Sequence, residues 1–140
     1  KIDLEITQIS SRRIYKLKPK RKTSKKVILY IHGGAFVINT SRFHWRMISD
    51  LSNKTGATFI VPDYPLVPSA TFKDVYLMID NVYNQMLRSY SSKDIIFMGD
   101  SAGGGFILSF AQKLRNEQKP QPSQIIMISL MFWKCMIYPG

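Results

Sequence analysis

A single cysteine, Cys135, stands in a chain of 140 residues. No internal disulfide can form, and one isolated thiol favours a reducing, cytoplasmic setting. Histidine is almost as scarce, with only His32 and His44. No close pair of cysteines or histidines supplies the spacing of a structural zinc site, so no metal is expected. No apolar run reaches the roughly 18 residues of a membrane-spanning helix. No signal segment, internal repeat, low-complexity stretch or linker is visible, and the length suits one domain. Acidic side chains are few, nine against twenty Lys and Arg, for a net charge of +11.

That charge is unevenly placed. Residues 1–26 hold ten of the twenty basic side chains, around Lys16, Lys18, Lys20, Arg21, Lys22, Lys25 and Lys26. Such an arm suits either phosphate binding or a solvated segment whose lysines discourage edge-to-edge strand pairing. No base-reading motif accompanies it, so no nucleic acid is expected as a partner.

Hydrophobic residues make up 45% of the chain, the composition of a globular protein. Ile2 to Ile6 and Arg13 to Lys18 alternate apolar and polar, which predicts two strands with one wet face, paired antiparallel at an edge. Val27 to Ile31 is instead a continuous run of β-formers, as are Thr58 to Val61, Ile95 to Met98 and Ile125 to Ile128. Such runs fit strands covered on both faces. Helical spacing lies between them. Phe72, Val75, Tyr76, Ile79, Val82, Tyr83, Met86, Leu87 and Tyr90 recur at steps of three and four behind a Thr71 cap. Further helices are predicted over Ala102 to Arg115 and Phe43 to Lys54, the latter stopping before Gly56. The order strand, strand, then βαβαβαβ predicts an α/β fold with a mostly parallel sheet and helices on both faces.

Three segments carry chemistry. Gly99-Asp100-Ser101-Ala102-Gly103 sits directly between a buried strand and a helix, the setting in which a G-x-S-x-G serine is held on a sharp turn with its hydroxyl raised above the sheet. A plain glycine-rich turn or a phosphate-binding turn would share this spacing, although the Gly-Lys-Ser/Thr of a P-loop is absent. His32-Gly33-Gly34-Ala35-Phe36 follows the strand Val27 to Ile31, and its glycines let backbone N–H groups approach a bound oxygen. Asp63-Tyr64-Pro65-Leu66-Val67-Pro68 follows the next strand.

Together, in this order, the three segments resemble the hormone-sensitive-lipase-like branch of the α/β-hydrolases, which are carboxylic-ester hydrolases. The resemblance runs from about Lys25 to Ser129. It implies that Ser101 is the nucleophile and that the N–H groups of Gly33, Gly34 and Ala102 form the oxyanion hole. It further implies that His32, Asp63 and Tyr64 support the site, with no metal or cofactor. Ala35 stands where many members have a third glycine. Asp100 is expected to point away, and His44 to lie on or just before a surface helix.

A serine nucleophile needs a histidine to take its proton and an acid to orient that histidine, in the chain order Ser, acid, His. After Ser101 there is one acid, Glu117, at the far end of the helix, and no histidine. Where the family continues Pro-Trp-x-Asp, this chain reads an apolar segment, Leu130 to Gly140. The expectation is a single incomplete hydrolase domain: a basic edge-strand segment at 1–26, core elements at 27–129 and an atypical tail at 130–140. A frameshift or early stop would account for the tail. The expected function is hydrolysis of small carboxylic esters through an acyl-Ser101 intermediate, with the triad Asp and His lacking and the chain alone inactive. A catalytically silent remnant is the alternative, and a basic nucleic-acid-binding protein the less favoured one. Self-association is expected through the sheet edge at Ile125 to Ile128.

Overall fold

The structure, a computed structural model, describes residues 2–34, 40–65 and 70–128. Ala35 and Phe36 of the first motif, Leu66 to Pro68 of the second, Ser129 and the tail 130–140 lie outside the described residues. Among the described residues six strands and three α-helices follow in the predicted order. They are β1 (Ile2–Ile9), β2 (Arg12–Pro19), β3 (Val27–Ile31), α1 (Arg42–Thr55), β4 (Thr58–Pro62), α2 (Phe72–Ser89), β5 (Ile95–Asp100), α3 (Ala102–Asn116) and β6 (Gln124–Ile128).

One mixed sheet runs in the order β1-β2-β4-β3-β5-β6. β1 and β2 form an antiparallel hairpin that turns through Ser10 and Ser11, both at positive φ, the conformation of a two-residue primed turn. β2 joins β4 antiparallel, while β4, β3, β5 and β6 are mutually parallel. Alternate side chains of the central strands enter opposite layers. Val27, Leu29 and Ile31 pack with Val75, Ile79, Val82, Phe106 and Phe110 of α2 and α3. Ile28 and Tyr30 pack with Ile48 of α1, and Trp45 and Leu51 flank them. Burial on both faces is what the unbroken apolar runs require.

The starts of α1 and α2 are capped by side chains. Thr71 accepts from the Asp74 amide, and Asp74 returns a bond to the Thr71 backbone. Ser41 and His44 close an equivalent box at α1, with His44 in the place Glu or Gln usually takes. In the basic arm, Lys18 pairs with Glu5 at 2.7 Å, Lys26 donates to the Lys93 carbonyl at 2.8 Å, and Lys16 lies over the Tyr90 ring. At the other edge, β6 has one strand neighbour among the described residues, and Ile126, Met127 and Ile128 are each 37–39% exposed.

Candidate active site

The carboxyl ends of β3 and β5, neighbours in the sheet, bring the glycine loop and the serine together. β5 ends at Asp100 and α3 begins at Ala102, so Ser101 alone makes the reversal. Its φ of 50° and ψ of −120° lie where side chains are strained. The Ser101 amide donates to the Ile128 carbonyl of β6 at 2.8 Å, and its hydroxyl makes no capping bond to its own helix. The flanking glycines have steric reasons. A Cβ on Gly103 would lie 2.0 Å from the Ile31 carbonyl oxygen, and one on Gly99 would lie 2.5 Å from the Gly103 carbonyl. Strand and helix backbones therefore pass closer than any side chain permits. Ala102 is the first helical residue, and its N–H has no acceptor one turn back within α3.

The loop after β3 abuts this turn. A Cβ on Gly33 would meet Ser101 Cβ at 3.0 Å and Asp100 Oδ2 at 2.5 Å. Gly34 has a φ of 121°. The Gly33 N–H is already engaged, donating to Asp100 Oδ1 at 2.9 Å. This corrects the expectation that Gly33 is an oxyanion donor, since an amide bonded to a carboxylate is not free for another anion. Of the three expected N–H donors, those of Gly34 and Ala102 remain.

Asp100 also departs from expectation. It does not point away but accepts from the Tyr30 hydroxyl, from Gly33 and from His44. His44 lies in the first turn of α1, as expected, and its Nε2 is 3.1 Å from Asp100 Oδ2, which also places it beside the serine turn. Its Nδ1 lies 3.1 Å from the Ser41 amide nitrogen and 2.7 Å from the Ser41 hydroxyl, and Nε2 donates to the Asp100 carboxylate, which can only accept.

His32 is fully buried, with Nδ1–H donating to the Gly33 carbonyl at 2.6 Å. Burial lowers the pKa of its ring, which favours the neutral form, and Nε2 is buried with no partner among the described residues. Tyr64 stacks on the ring with centroids 4.4 Å apart, and its hydroxyl donates to the His32 carbonyl at 2.7 Å. Asp63 lies toward β2: its carboxylate is 3.8 Å from Arg12 and its amide donates to the Arg13 carbonyl. Neither histidine hydrogen-bonds the Ser101 hydroxyl. Among the described residues no group of three His, Cys, Asp or Glu could hold a metal ion, and no helix is long and apolar enough to cross a membrane.

The family model for the alpha/beta hydrolase fold matches residues 28–134. The chain belongs to the α/β-hydrolase family. Within this family it is similar to an esterase from Acinetobacter venetianus, 32% identical over 76% of this chain and 36% of that protein. A triacylglycerol lipase from Mycobacterium tuberculosis is 32% identical over 90% of this chain and 29% of the lipase. Among solved structures, an esterase of the bacterial hormone-sensitive lipase family superposes with a TM-score of 0.85 at 27% identity. That match covers 93% of this chain and 44% of the other. The chain thus has the partial α/β-hydrolase fold of the hormone-sensitive-lipase-like esterases, and spans about a third of the length of the curated relatives it matches.

Proposed function

We propose that this chain carries the nucleophile portion of a serine hydrolase of small carboxylic esters. The observation that carries the reading is the strained Ser101 between β5 and α3 with the glycine loop packed against it, so close that Gly33 has no room for a Cβ. In this reading Ser101 Oγ attacks the ester carbonyl and gives its proton to a base. The tetrahedral oxyanion is held by the N–H groups of Ala102 and Gly34, with the field of the α3 N-terminus behind them. The alcohol leaves with a proton, and water then releases the acyl group.

The base is not one of the two histidines. His44 Nδ1 is occupied by the helix cap and its Nε2–H by Asp100, while the His32 ring is sealed from solvent. The reading therefore assigns the base and its orienting acid to sequence that this chain does not span. The same observation favours the second reading, a silent remnant, for the 140 residues on their own.

A chimera separates the two. Residues 1–128 are joined to the remaining part of the Acinetobacter esterase and assayed with p-nitrophenyl acetate and butyrate. The expected result is turnover by the chimera that disappears in Ser101→Ala, and none above that control from the 140-residue chain. A folded chimera that hydrolyses no faster than its Ser101→Ala variant refutes the nucleophile reading. Burst release of nitrophenol by the 140-residue chain refutes the assignment of the base.

A further inference from the structure

One carboxylate gathers three elements that are far apart in sequence. Asp100 Oδ1 accepts from the Tyr30 hydroxyl of β3 and from the Gly33 amide, and Oδ2 accepts from His44 Nε2–H of α1. The partners lie 70, 67 and 56 positions away. We infer that Asp100 is a positioning residue: it sets the Gly33–Gly34 loop against Ser101 and couples that setting to helix α1 through His44. The inference rests on the reading of Ser101 and Gly34 given above, which it deepens.

Three features support it. First, every partner is a donor facing an acceptor-only group. Tyr30 is fully buried and its hydroxyl is held protonated, its pKa raised by burial and by the bond to Asp100. His44 presents an Nε2–H because the Asp100 carboxylate it faces can only accept. An ionised carboxylate satisfies all three donors at once, whereas an amide would turn an NH₂ group against one of them. Second, the side chains of His44 and Asp100 are only 12% and 20% exposed, so water competes weakly for these bonds. Third, the missing side chain at Gly33 is explained by Asp100 itself, since a Cβ there would press on Oδ2 at 2.5 Å and on the Asp100 carbonyl at 2.8 Å. With the Gly33 amide held this way, the next amide, that of Gly34, is the loop donor left for a substrate oxygen.

His44 allows the test to spare the fold. Glu is a preferred residue at the third position of a capping box, so His44→Glu keeps the Ser41 cap while placing a second carboxylate against Asp100. His44→Gln keeps an acceptor for the cap and an N–H for Asp100. The probe is amide hydrogen exchange of the 140-residue chain read residue by residue, with the Phe97 amide of β5 as the reference for global opening.

The expected wild-type result is a Gly33 amide exchanging at least about tenfold more slowly than that of Gly34. Asp100→Asn and His44→Glu should each speed Gly33 about tenfold and leave Phe97 within about twofold, while His44→Gln stays near wild type. Should Asp100→Asn fail to fold, His44→Glu decides alone. A Gly33 amide as fast as Gly34 in the wild type, or unmoved by His44→Glu, overturns the inference whatever Ser101 does. An inactive chimera overturns the nucleophile reading and leaves the Gly33 exchange pattern unchanged.

Discussion

Replacing Gly103 by alanine turns a helix-favouring substitution into a destabilising one. Inside an unconstrained helix, Gly to Ala gains about 1 kcal/mol. Here the new methyl would stand 2.0 Å from the Ile31 carbonyl oxygen and 2.7 Å from that of His32. A relaxed carbon–oxygen contact is about 3.3 Å, so the two backbones must part by more than about 1 Å. Neither yields easily. Ile31 belongs to a strand paired on both sides, and α3 is fixed by Phe106, Ile107, Phe110 and Leu114, all fully buried. Overpacking of this kind costs about 3 kcal/mol, which leaves a net loss of about 2 kcal/mol after the helix gain. For a chain of this size the melting temperature should fall by about 6–8 °C. Urea unfolding followed by circular dichroism is the direct assay, and an unchanged slope identifies the shift in midpoint as lost stability. A Gly103→Ala variant as stable as wild type, or more so, would mean that α3 does not press on β3 and that the steric account of the serine turn is wrong.

Other perturbations have expected outcomes of their own. Ser101→Gly should be more stable than Ser101→Ala by about 1 kcal/mol, because glycine relieves the strain at φ 50° that alanine keeps; equal stabilities in urea would show that the turn is unstrained. Burial depresses the His32 pKa below its ordinary 6.5, so the native state binds fewer protons than the unfolded chain once the pH drops below that value. Its contribution is fully present above about pH 6.5 and is lost as the pH falls toward the depressed value, by up to about 1.4 kcal/mol per pH unit. His32→Asn, which keeps a donor for the Gly33 carbonyl, should flatten that part of the stability–pH curve, and parallel curves for the two proteins would remove His32 as the cause. The apolar outer edge of β6 should drive association in sedimentation experiments, and Ile126→Lys with Met127→Lys should suppress it; a monomeric wild type at high concentration would count against this.

Most of the architecture was legible in the chain because it is written in local periods. The unbroken runs at Val27 and Ile95 became central strands, and the three-and-four spacing from Phe72 became α2 with Thr71 as its cap, since one-face or two-face burial imposes those patterns directly. Boundaries were less legible. The hairpin extends to Ile9 and Pro19 because two serines accept positive φ at its turn, without the Asn-Gly or Asp-Gly pair that signals one. The start of α1 was blurred by a histidine acting where Glu or Gln is usual. In the candidate site, the placement of Ser101 between strand and helix could be read from five residues. The role of Asp100 could not, because its partners come from β3, the following loop and α1, and no local pattern announces a contact across 56 to 70 positions. The engagement of the Gly33 amide is illegible in the sequence for the same reason.

The bond from the Ser101 amide to the Ile128 carbonyl bears on how the chain is made. A ribosome delivers β1 and β2 first, yet β2 must wait for β4, and β3 lacks its second neighbour until β5 has emerged. The serine itself is clamped from the far side only when residue 128 follows. At about 5–20 residues per second that is a lag on the order of seconds, during which Ser101 is free to relax into an ordinary backbone conformation. The strained geometry of Ser101 is thus a late event of synthesis, complete only once β6 has joined the sheet.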